Sequence, residues 1–85
     1  MVTITITEGF EKELKKVRDQ LVKERVKKQI QKIIEQPDIG KPLRHNLKGE
    51  RTLYLPPYRI IYTHEKDTDT IFLLRFRHRE EVYDL

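Results

Sequence analysis

Arg51-Thr52-Leu53-Tyr54-Leu55-Pro56-Pro57-Tyr58-Arg59-Ile60-Ile61-Tyr62-Thr63 decides the fold. Two runs rich in β-branched and aromatic residues flank a Pro-Pro pair. Such a pair supplies no ladder donors, so it belongs in a turn. After a polar stretch at residues 65–69, a third run, 70–77, repeats the strand composition. Connections this short join antiparallel neighbours, so the three runs are expected to form an antiparallel meander.

Upstream, Val2-Thr3-Ile4-Thr5-Ile6-Thr7 alternates without a break and is β-branched throughout, which predicts a half-buried strand. Thr7 is placed to cap a following helix, with Glu8 and Glu11 in its first turn. Apolar positions then fall at Phe10, Leu14, Val17 and Leu21, and again at Val22, Val26, Ile30, Ile33 and Ile34. Each series is an amphipathic helix stripe. One helix over residues 8–36 would be roughly 43 Å long, against a radius of gyration of roughly 12 Å for a domain of this size. A break near residues 18–22 is therefore expected, with Asp19 capping the second helix of a hairpin. Gln36-Pro37-Asp38-Ile39-Gly40-Lys41-Pro42 ends the helical region, and residues 43–49 read as irregular. Two helices and about four strands predict an α+β domain: N-terminal strand, helical hairpin, then meander. The helices pack on one sheet face, leaving the other open and concave.

Eighty-five residues predict one domain, 1–85, with a small core. The chain is 38% charged and 36% hydrophobic, which suits a soluble globule with a dense ionic surface. A net charge of +4 and a pI near 9.4 favour an anionic partner. Residues 1–40 hold seven Lys and two Arg, residues 41–85 three Lys and six Arg. That skew places the cations suited to bidentate contacts on the strand-rich half. With no Cys there is no disulfide framework or thiolate nucleophile, which fits a reducing, cytoplasmic setting. His45, His64 and His78 are too scattered for a zinc motif, so no metal and no cofactor is expected. No apolar run approaches membrane-spanning length, and residues 2–7 lack the basic start of a signal peptide.

The chemistry concentrates near the C-terminus, in Arg75-Phe76-Arg77-His78-Arg79-Glu80-Glu81-Val82-Tyr83-Asp84. If residues 71–77 form a strand, Phe72, Leu74 and Phe76 face one way. Arg75 and Arg77 then face the other, with Arg79 following if the strand runs on. Guanidinium forks at that spacing match phosphate oxygens. The competing reading is a solvated cationic edge that resists aggregation. His78 and Tyr83, which can stack on bases or move protons, tilt the balance toward RNA. Alternation puts His78 on the side of Phe76, which sets a buried structural role beside the RNA-binding one.

The order of parts resembles the RelE/ParE toxin superfamily, RelE-like archaeal toxins in particular. The resemblance rests on Gly40-Lys41-Pro42-Leu43, Leu47-Lys48-Gly49, Tyr58-Arg59-Ile60-Ile61-Tyr62 and His78-Arg79-Glu80-Glu81-Val82-Tyr83, in that order along nearly the whole chain. It implies a metal-independent endoribonuclease that cleaves messenger RNA in the ribosomal A site, through attack of a ribose 2′-hydroxyl on the adjacent phosphate. It implies a RelB-type antitoxin as partner, in a heterodimer or heterotetramer, and a cytoplasmic location. Carried over by residue, Arg59 clamps the scissile phosphate. The late catalytic arginine is Arg79 if the His-Arg pair is aligned, or Arg77 if counted back from Tyr83. Tyr83 stacks on a base or transfers a proton. Arg44, Lys48, Arg51, Arg75 and His78 complete the expected RNA contacts. Bacterial relatives carry two lysines on the strand before the central tyrosine. Glu50-Arg51-Thr52-Leu53-Tyr54-Leu55 has none, which leaves the general base unassigned; Lys48, Arg44 or Lys41 supply charge nearby. A ParE-like poison of DNA gyrase and a non-catalytic RNA- or ribosome-binding module are the alternatives.

Overall fold

The computed structural model describes residues 2–43 and 49–78. Strand β1 (Thr3–Ile6) leads into helices α1 (Glu8–Lys15) and α2 (Gln20–Glu35); strands β2 (Lys41–Pro42), β3 (Arg51–Leu55), β4 (Tyr58–Glu65) and β5 (Thr70–His78) follow. The five strands form one sheet in the order β1-β5-β4-β3-β2. The β3-β4-β5 meander is antiparallel as expected. β1 joins it in parallel, against β5. The radius of gyration is 12.2 Å and the longest extent 35 Å, so a single helix over residues 8–36 would not fit.

The hairpin breaks where the chain's capping chemistry allows. Asp19 is the N-cap of α2, and its carboxylate accepts the Leu21 N–H at 2.9 Å. The turn also corrects one stripe assignment. Leu21, read as the end of the first apolar series, is an exposed residue at the start of α2. The phase of α2 is set instead by Val26 and Ile33, both buried, with Val22 and Ile30 packed against them.

The core lies between the helices and one sheet face. It holds Phe10, Val17, Val26, Ile33, Leu55, Ile60, Tyr62, Ile71, Leu73 and Phe76. Phe10 meets Phe76 edge-on at 5.9 Å, and Tyr58 stacks on Phe76 at 4.7 Å. Each fully buried phenylalanine contributes about 1.5–3 kcal/mol.

The side-chain phase of β5 differs from simple alternation. Ile61 pairs with Arg75, but Tyr62 pairs with Leu73, so Leu74 is an extra residue on β5. This bulge resets the phase. Ile71 and Leu73 enter the core before it, and Phe76 after it. The expected grouping of Phe72 and Leu74 with Phe76 is therefore wrong, whereas Arg75 and Arg77 do share the opposite face.

Thr7 holds the bulge. Its N–H donates to Leu73 O at 3.1 Å. Its hydroxyl is shared between Leu73 O at 2.8 Å and Leu74 O at 3.0 Å, and accepts the Phe10 N–H as the cap of α1. Thr7→Ala should lower unfolding free energy by about 1–3 kcal/mol, through loss of a cap and of buried carbonyl partners. Thr7→Ser should stay within about 1 kcal/mol of the parent. Urea titration at constant slope reads both values.

Candidate active site

The face turned away from the helices carries Lys41, Arg59, Arg75 and Arg77. Two rows cross it. In the first, Lys41 on β2 lies opposite Thr52 on β3, Thr52 opposite Ile61 on β4, and Ile61 opposite Arg75 on β5. In the second, Tyr54 lies opposite Arg59, and Arg59 opposite Arg77. Ile61, although it belongs to this face, is 2% exposed.

Arg59 and Arg77 are directly opposed in register on neighbouring strands, which brings two guanidinium-bearing residues onto one face. Guanidiniums so placed can bind one phosphate group from two sides. The Arg59 guanidinium also lies 5.0 Å from the ring centroid of Tyr54, in cation–π contact. Tyr54 is 43% exposed, which leaves ring surface open to a base. A groove of about 290 Å³ runs between Ile39, Lys41, Thr52, Leu53, Tyr54 and Arg59.

The remaining expected RNA contacts are not all in this group. Arg51 corresponds in register to Tyr62, and so belongs to the helix side of the sheet. Its guanidinium donates to Gly40 O at 2.7 Å and Asp38 O at 3.2 Å, and pairs with the Asp38 carboxylate at 3.5 Å. It is a structural tie rather than part of the open face. Arg75 belongs to the open face but is paired with Glu50 at 2.9 Å. His78 packs edge-on against Tyr58 at 5.6 Å, beside the core, as its alternation with Phe76 implied. Arg44, Lys48, Arg79 and Tyr83 lie outside the described residues. Sequence reading undervalued Tyr54, although Thr52 and Tyr54 alternate against Leu53 and Leu55. Lys41 had no periodic signal, because β2 is only two residues long.

Tyr62 positions that short strand. Its hydroxyl donates to Pro37 O at 2.6 Å and accepts the Gly40 N–H at 2.9 Å. Gly40 is needed for the close approach: a Cβ there would lie 2.8 Å from the Tyr62 ring and 2.9 Å from Thr52 O. Burial pushes the Tyr62 phenol above its ordinary pKa of 10.0, a rise that the Gly40 N–H and Arg51 only partly oppose.

A family model described as the ParE toxin of the type II toxin-antitoxin system, parDE, matches residues 4–83. The chain belongs to this family. It is a toxin of a type II toxin–antitoxin system, in the RelE/ParE superfamily. Toxin RelG of Mycobacterium tuberculosis is 36% identical over 45 residues, which is 53% of this chain and 52% of RelG. The alignment therefore spans about half the length of that curated relative. The toxin–antitoxin complex RelBE2 of M. tuberculosis superposes with a TM-score of 0.76 at 27% identity, covering 91% of this toxin and 96% of that chain. The intact E. coli RelBE complex shares the fold, with a TM-score of 0.77 at 24% identity over 89% and 94% of the two chains. Among the described residues, no helix is long and apolar enough to cross a membrane.

The native toxin keeps Tyr62 neutral at pH values where the unfolded chain would ionise it. Its contribution to stability is thus full below pH 10 and declines as pH rises through the raised native value. Tyr62→Phe should cost about 1–3 kcal/mol at neutral pH, by orphaning the Gly40 N–H. The difference between parent and variant should shrink above pH 10, as read by urea titrations across pH.

Proposed function

We propose that this toxin is a ribosome-dependent endoribonuclease that cleaves messenger RNA in the A site. The observation that carries the reading is the Arg59–Arg77 pair, opposed in register on the open face beside Tyr54. The reaction is attack of a ribose 2′-oxygen on the adjacent phosphorus, with departure of the 5′-oxygen of the next nucleotide. A new P–O bond closes a 2′,3′-cyclic phosphate as the old one breaks. The 2′-hydroxyl proton leaves on attack, and the 5′-oxygen gains a proton on departure.

Charge builds on the non-bridging oxygens in the pentacoordinate transition state. Two guanidiniums on paired strands would stabilise that charge more than the ground-state monoanion, which is the differential binding that accelerates a step. Tyr54 offers a stacking surface that tolerates any base, and the ribosome supplies strand alignment. Arg79 and Tyr83 are proposed to join from the C-terminal segment, with Arg44 and Lys48 as further phosphate contacts. No described side chain is assigned as general base.

The partner is proposed to be a RelB-type antitoxin, since the M. tuberculosis and E. coli relatives were solved as toxin–antitoxin complexes. Acidic segments that fold on binding would oppose the basic face, and their bulk would bar the toxin from the A site. The setting is the cytoplasm, where ribosomes are. The ParE description of the family model favours a second reading, action on DNA gyrase. The arginine pair weighs toward RNA.

Induction in cells separates the two. Rapid messenger RNA cleavage supports the nuclease, whereas DNA breaks with an SOS response and intact messenger RNA support the gyrase poison. On programmed ribosomes, Arg59→Ala and Arg77→Ala should each slow cleavage by about 10²–10³-fold, the usual loss on removing a donor to developing charge. Wild-type rates in both variants would refute the site. Arg51→Gln should lower stability by about 1–2 kcal/mol and leave the salt dependence of RNA binding unchanged, because its guanidinium serves the backbone near Gly40.

A further inference from the structure

We infer that Lys41 is a third cation of the phosphate site, supplied across the groove from β2. The inference rests on the RNA-cleaving reading, and it assigns the side of the site that Arg59 and Arg77 leave uncovered. Pairing with Thr52 brings Lys41 onto the same face as Arg59, two strands away and one row along. The Cα atoms are then about 12 Å apart, from a strand spacing of ~4.8 Å and a rise of ~3.3 Å per residue. Two long cationic side chains converging from that separation leave room for one phosphate. The groove of about 290 Å³ lies between them, with Thr52 and Tyr54 among its lining.

Three further observations support this placement. A two-residue strand gains little from its own pairing, yet the backbone around Lys41 is tied at several points. Tyr62 holds Pro37 and Gly40, Arg51 holds Asp38 and Gly40, and the Leu43 N–H donates to Glu50 O at 3.0 Å. Such anchoring fixes where the lysine stem begins, as a preorganised site requires. Next, Lys41 makes no ion pair among the described residues, whereas Arg75, in the same row, is paired with the Glu50 carboxylate. Finally, the Thr52 hydroxyl is shielded and has no hydrogen-bond partner among the described residues. A buried hydroxyl of that kind carries a desolvation cost that a polar ligand group relieves.

The ammonium of Lys41 contacts a non-bridging oxygen of the RNA phosphodiester, opposite Arg59. As a point charge it adds to the stabilisation of the phosphorane without demanding a planar partner. It also explains how strand β3 can lack lysine while the groove remains cationic on both sides.

The test compares Lys41→Ala and Lys41→Arg with the parent. Lys41→Ala should slow single-turnover cleavage of messenger RNA on programmed ribosomes by about 100-fold, and Lys41→Arg should stay within about tenfold of the parent. The affinity of Lys41→Ala for a single-stranded RNA should lose about 0.7 from its log–log salt slope, one phosphate contact. Urea midpoints should match, because the side chain is exposed and anchors nothing. Parental cleavage together with a parental salt slope in Lys41→Ala would overturn the inference. If the parent itself does not cleave, the nuclease reading fails, and the salt slope alone decides Lys41: a loss of about 0.7 supports the contact, and an unchanged slope removes it.

Discussion

The bulge at Leu74 is the constraint from which the rest of the molecule follows. β5 has to deliver Ile71, Leu73 and Phe76 to the core and Arg75 and Arg77 to the opposite face. Strict period-two alternation would put Arg75 and Arg77 on the side of Ile71 and Leu73. One extra residue resolves the conflict, at the expense of carbonyls that leave the regular ladder. Thr7 takes them. The residue that ends β1 and caps α1 thus also stabilises the phase change in β5. N-terminal strand, first helix and cationic face are tied through one side chain.

A second tie works at the other edge of the sheet. β2 is too short to hold itself, and Tyr62 anchors it from the core by bridging Pro37 and Gly40. Arg51 closes the same turn from the outside. The arginine that looked like an RNA ligand thereby becomes scaffold, and the lysine beside the turn becomes available to the groove. The edge carbonyls of β3 beyond β2 are covered differently. Gln29 of α2 donates to Tyr54 O at 3.0 Å and Arg25 to Pro56 O at 3.3 Å. This satisfies an otherwise open edge and leaves the Tyr54 ring facing the groove.

Charge on this toxin is therefore sorted by partner rather than by abundance. Arg51 and Arg75 are matched with Asp38 and Glu50. Arg59 and Arg77 are opposed in register on the open face. A net charge of +4 spread over helices and strands says only that an anionic partner is favoured. Register says where that partner would sit.

The sequence by itself determined both helices, four of the five strands, and their order. The Thr7 and Asp19 caps, the break between two apolar stripes, the Pro-Pro turn and the β-branched runs are local signals, and local physics acts on neighbours a few residues apart. The opposition of Arg59 to Arg77 was implicit in the meander but depended on the register. Only the tertiary structure decided the bulge, the parallel pairing of β1 with β5, the existence of β2, and the placement of Arg51 and Lys41 on opposite faces of the sheet. Each depends on contacts between residues far apart in the chain: Thr7 with Leu73 and Leu74, Tyr62 with Pro37 and Gly40, Arg51 with Asp38. No periodicity within a single segment encodes such contacts, because the free energy that selects them arises only when the segments are packed together.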